Sequence, residues 1–280
     1  MKTTTKPKII VFLLLTFALS SFFYARIVST GSVGNYTIGL MWCPGIAGIL
    51  TQLIFEKKLR GLGWKLRPFR YLLLAYFLPV IYGLVVYGSV WLSGSAPLNI
   101  DQLALQVSQQ TGETISPLNF VVSHVLNMAT FGMLFSTFAA LGEEIGWRGL
   151  FVPELAKAGS FTSASVISGI IWAVWHFPLI LFADYHNPGT PVWFGLVCFT
   201  LMVLGISFTM AWLRLKSGSL WPAVLLHASH NIFIQGVFTP LTGQSSLSPY
   251  LIDEFGIGLA LMGLLLIWIF WRKRAEVASV

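Results

Sequence analysis

The chain has 280 residues, of which 56% are hydrophobic and 10% charged, with a formal net charge of +7. Soluble globules carry about 25% charged residues, so this chain has too few charges to cover a water-facing surface and too many apolar residues to be disordered. A soluble enzyme or a soluble nucleic-acid binder does not fit, whereas a polytopic membrane protein does.

In chain order, apolar segments long enough, or nearly so, to cross a bilayer cover roughly residues 9–28, 36–55, 71–92, 118–141, 161–183, 191–213, 219–240 and 250–271. Lys2, Lys6 and Lys8 precede the first, as in a signal peptide. No small-x-small cleavage site follows, so the segment reads as a retained helix with its start inside. The long apolar runs do not alternate as barrel strands would, and the expectation is an all-α, polytopic transmembrane helix bundle of about eight spans.

The charges set the sidedness. Lys57, Lys58, Arg60, Lys65, Arg67 and Arg70 lie between the second and third segments. Arg148 and Lys157 follow the fourth, Arg214 and Lys216 the sixth, and Arg272, Lys273 and Arg274 the eighth. With eight spans and both termini cytoplasmic, sixteen of the 17 basic residues fall inside and only Arg26 falls near the other face. The opposite loops hold Asp101, Glu113 and Asp184. Residues 102–110 are polar enough for a short surface helix, and the apolar stretch 149–158 suits the membrane interface. Residues 1–280 read as a single membrane domain. Cys43 and Cys198 lie in apolar runs without metal-ligand spacing.

Polar groups within or against the spans are the informative residues, because they are costly in lipid and normally face the bundle interior. The first cluster is Glu143-Glu144-Ile145-Gly146-Trp147-Arg148. Adjacent glutamates point about 100° apart on a helix, so they need different partners, and Glu144 stands one turn from Arg148. Two acids at a helix C-terminus would oppose its dipole, which suggests that the helix continues through Arg148. The second cluster is Trp172 and His176, one turn apart, with Pro178 expected to bend or end the helix just beyond. The third is His227 and Asn231, four apart and able to address one point, with His230 rotated off that pair. His124 and Asn127 read as helix–helix hydrogen-bonders.

If the clusters converge, a carboxylate near a histidine can hold and deprotonate water, and a His–Asn pair can donate to a developing oxyanion. Carboxylate and imidazole can also ligate zinc, with Glu143, His176 and His227 as the candidate set, although the one-helix zinc motif is absent. A transporter or channel would use the same polar residues as a pathway. A catalytically silent immunity or scaffold protein would use them structurally.

Taken in order, Glu143-Glu144-x-x-x-Arg148, Trp172-x-x-x-His176 and His227-x-x-x-Asn231 resemble the three motifs of the CPBP family of CAAX-type and bacteriocin-processing intramembrane proteases. The resemblance covers about residues 118–240, and Trp172 departs from the Phe of many relatives. It implies water activation by Glu143 with His176, oxyanion stabilisation by His227 and Asn231, and supporting roles for Glu144, Arg148 and Trp172. It further implies an intramembrane endopeptidase in the plasma membrane acting on a membrane-associated protein or peptide, with no cofactor required and no nucleic-acid partner. Zinc is the less favoured alternative, since Asn231 is a poor zinc ligand and a good oxyanion donor.

Overall fold

The computed structural model describes residues 4–66 and 68–277; Lys2 and Arg67, counted above among the basic residues, lie outside them. The described chain is an all-α membrane bundle. Among the described residues six helices are long and apolar enough to cross a membrane: α1 (Thr5–Thr30), α2 (Val33–Glu56), α3 (Phe69–Leu92), α5 (Pro117–Ala158), α6 (Phe161–Phe182) and α7 (Val192–Ser217). Between them α4 (Ile100–Thr111) is a polar helix with Ala104 as its buried contact. The seventh apolar segment forms α8 (Trp221–His230), continued without a break by π-helical Asn231–Phe238. The eighth forms α9 (Ile257–Arg272), apolar but only 16 residues long.

Local signals set the helix ends. Ser116 accepts from the Asn119 N–H and is followed by Pro117, whose ring suits the first turn of α5. Ser160 and Ser163 make a reciprocal capping box for α6. Gly218, at φ 69°, ends α7 in the left-handed conformation.

One expectation is corrected in part. Pro178 does not end α6: the helix runs on to Phe182. A proline removes one ladder donor, and helices in a bundle tolerate that loss. The stretch 149–158 continues α5, buries Val152, Glu154 and Leu155, and packs against α1 and α6. The sequence expected this helix to pass Arg148, and it does so as a π-helical stretch, Ile145–Phe151.

Helix α5 meets α2 through glycines. A Cβ on Gly146 would stand 2.3 Å from the Pro44 carbonyl oxygen, and one on Gly45 would stand 2.3 Å from that of Gly142. Gly142 and Gly146 are four apart and flank Glu143 and Glu144, a small-x-x-x-small seam that lets two backbones touch. A second such crossing joins α7 to α9, where a Cβ on Gly205 would lie 2.4 Å from the Gly263 Cα.

Polar contacts sort the loops into two ends. At one end Lys8 pairs with Glu56 (2.6 Å) and Glu154 (3.4 Å), Arg214 Nη2 donates to the Gly61 carbonyl (2.8 Å), and Lys216 pairs with Glu276 (3.3 Å). At the other end the Asn99 N–H donates to Leu241 O (2.8 Å), Gly243 N–H to Pro97 O (2.8 Å), and the Asn187 amide to Pro249 O (2.8 Å).

Candidate active site

Helix α5 carries Glu143 and Glu144 where its α-helical turns give way to π-helical ones. Such widened turns recur at functional sites, because the extra residue re-aims the side chains around it. Both carboxylates are buried, Glu143 at 1% exposure and Glu144 at 0%. Buried acids need named partners, and these two have different ones.

Glu144 faces inward, away from the cavity. Arg148 Nη1 donates to its Oε1 (2.9 Å) and Oε2 (3.1 Å), and His227 Nδ1 donates to Oε1 (2.9 Å). Arg148 is fully buried, its guanidinium lies 4.1 Å from the Trp172 ring centroid, and its carbonyl accepts from Arg214 Nε (2.8 Å). The Nε and Nη2 of Arg148 have no hydrogen-bond partner among the described residues. Glu143 instead accepts from the Trp172 indole N–H at 2.7 Å. Trp172 thus supplies a donor that a phenylalanine there would lack, and one indole braces Glu143 at its edge and Arg148 at its face.

His176 donates from Nδ1 to the Trp172 carbonyl (2.9 Å), a bond that leaves Nε2 as the free nitrogen. The neighbouring Trp175 is tied to α1: its indole donates to Ser20 Oγ (2.8 Å), and its carbonyl accepts from Tyr24. His227 likewise has Nδ1 engaged and Nε2 free.

A cavity of about 250 Å³ brings the three clusters together: Glu143, Trp172, His176, His227 and Asn231 all line it. Leu40 and Met41 from α2 and Phe199, Met202 and Ile206 from α7 supply apolar parts of its wall. Glu144 and Arg148 stand behind this lining rather than in it. His124 and Asn127 do not join it, and His124 Nε2 donates to the Gly236 carbonyl across the helix pair at 2.7 Å.

Sequence reasoning missed part of the wall. His230, set aside there as rotated off the His227–Asn231 pair, also lines the cavity, as do Tyr185, Gln235 and Glu254. The available signal was the acidic pair Asp253-Glu254 inside an apolar segment, which is costly there for the reason that singled out Glu143.

The residues present do not fit a metal. Among the described residues no three His, Cys, Asp or Glu side chains group as ligands. Of the acids near His227, Glu144 is already committed to Arg148.

Residues 124–233 match the family model of type II CAAX prenyl endopeptidases, Rce1-like. The match spans all three clusters. A curated relative, CAAX prenyl protease 2 of Methanococcus maripaludis, is 32% identical over 135 residues, which cover 46% of this chain and 49% of the relative. The aligned region therefore spans about half the length of that relative. The cavity described here lies largely within the matched region.

Proposed function

We propose that the protein is an intramembrane endopeptidase that hydrolyses a peptide bond in a membrane-associated protein or peptide, with water activated by Glu143. The observation that carries this reading is the division of labour between adjacent acids: Glu143 lines the cavity with His176, while Glu144 is withdrawn behind it on Arg148 and His227. In this reading a water sits between Glu143 and His176 Nε2. Glu143 takes its proton as the oxygen attacks the scissile carbonyl, and the proton passes to the leaving amine. The developing oxyanion is met by the Asn231 amide and by His227, whose doubly protonated ring has Glu144 as its counter-charge. No step uses a metal.

The deciding experiment is proteolysis in detergent by purified, metal-stripped protein, with the new termini of the products mapped and a Glu143→Gln control. Cleavage that persists in chelator and is unaffected by added zinc supports the reading. Chelator inactivation reversed by zinc would move Glu143, His176 and His227 into a metal shell. Flux of a solute through reconstituted protein, without peptide cleavage, would favour a transporter.

Asn231→Ala is expected to lower the initial cleavage rate by about 10²–10³ without abolishing it, because one oxyanion donor is typically worth that much. The assay is rate per folded protein. A wild-type rate in this variant removes Asn231 from the mechanism.

We further propose eight spans with both termini and the loop 57–68 in the cytoplasm of a cell whose plasma membrane holds the protein. The charge distribution supports this, and so do the contacts that gather Lys8, Gly61, Glu154, Lys216 and Glu276 at one end. In a Cys43→Ala, Cys198→Ala background, Lys58→Cys is expected to react with an impermeant thiol reagent only after permeabilisation, and Asp101→Cys without it. The reverse pattern inverts the topology.

A further inference from the structure

The cavity holds a second carboxylate that the hydrolytic reading does not use. Glu254 is 6% exposed and sits in the short segment before α9. Asp253, at φ 66°, makes the left-handed turn that aims it: Asp253 N–H donates to Tyr87 Oη (3.1 Å), and Asp253 Oδ1 accepts the Glu254 N–H (2.7 Å). Aspartate is among the few residues that adopt this conformation at modest cost.

Four side chains from four parts of the chain form one directed array. Tyr82 of α3 donates to His230 Nδ1, so the His230 proton lies on Nε2 and is donated to Glu254 Oε1 at 3.1 Å. Tyr185 donates to Glu254 Oε2 at 2.9 Å. Every donor runs towards the carboxylate, so the array ends in a fixed negative charge on the cavity wall. His230 is held at both nitrogens and immediately precedes Asn231, where α8 passes from α- to π-helical turns. A rotation of α8 that turned Asn231 or His227 away from the cavity would break the bonds of His230.

We propose that Glu254 is a positioning residue of the hydrolytic cavity: it locks His230, and through it the His227–Asn231 pair, and adds to the cavity wall a second carboxylate besides Glu143. This inference rests on the hydrolytic reading above. His176 shares that wall with Glu143 from α5, His227 from α8 and Glu254 from the segment before α9.

The test compares Glu254→Gln, Glu254→Asp and Tyr82→Phe in the full-length protein. Glu254→Gln keeps the side chain's size and removes its charge. It is expected to lower kcat about tenfold or more with KM within about twofold, as for an interaction made in the transition state. Its pH–rate profile should move to lower pH by about one unit, because the cavity has lost an anion. Glu254→Asp should keep the wild-type profile at a reduced rate. Tyr82→Phe should lower kcat without moving the profile as far as Glu254→Gln does. Histidine NMR titration of detergent-solubilised protein reads the same charge without turnover, and an imidazole signal should titrate at lower pH in Glu254→Gln. Wild-type kcat and profile in Glu254→Gln would overturn the proposal. So would a rate loss that merely follows the folded fraction, with no imidazole signal moved. A wild-type protein that cleaves nothing would overturn the hydrolytic reading instead, and the titration would still decide where the Glu254 charge acts.

Discussion

Glu143→Gln is expected to leave a folded, membrane-inserted protein that has lost about 10⁴-fold in cleavage rate, the upper end for removal of a positioned general base. The amide keeps the size of the carboxylate, and its oxygen can still accept the Trp172 indole N–H that Glu143 accepts at 2.7 Å. The fold therefore changes little. What disappears is the only function an amide cannot perform, taking a proton from water. The measurement is initial cleavage rate per folded protein, with elution volume and helical content as controls. Full activity in this variant would end the general-base proposal. Equal loss in Trp172→Phe would show that orientation of the carboxylate matters as much as its basicity.

Arg148→Met is expected to damage the fold as well as the activity. Arg148 and Glu144 are both fully buried and form an ion pair at 2.9 Å. Removing one member of a buried pair strands the other charge and typically costs about 3–5 kcal/mol. Solubilised protein should then melt lower by on the order of 10 °C and accumulate at lower yield. The double variant Glu144→Gln, Arg148→Met removes both charges, so most of the thermal stability should return. Activity should not return with it, because His227 will have lost its carboxylate partner at Nδ1. A melting temperature unchanged in Arg148→Met would mean that water or another group already compensates Glu144.

Much of this was legible in the residues, and the parts that were not have physical reasons. A polar group in an apolar run is conspicuous, so Glu143, Glu144, His176, His227 and Asn231 could be picked out without coordinates. Helical spacing gave the Glu144–Arg148 pair. Spacing cannot say which of two adjacent acids faces a cavity, because that depends on the rotation of α5 against α2. Nor could it give the bond from Trp172 to Glu143, which joins residues 29 apart through tertiary packing. Glu254 was hidden because residues 250–271 read as one apolar segment, whereas the helix itself begins at Ile257. His230 was set aside on helical geometry alone, yet the polar partners that hold it come from Tyr82 and Glu254 on other elements. Of the two outcomes expected at Pro178, a bend or an end, the end did not occur, since α6 continues within the bundle to Phe182.

The glycine crossings have a mechanical consequence. Where α2 meets α5 and where α7 meets α9, backbone already touches backbone, with no side chain left between them to compress or repack. Each pair is a rigid jaw. Glu143 is mounted on the first, and the apolar wall of Phe199, Met202 and Ile206 on the second. Each seam is therefore a stiff unit, so in the proposed reading the acid and the apolar wall are held by two separate rigid pairs rather than by deformable packing.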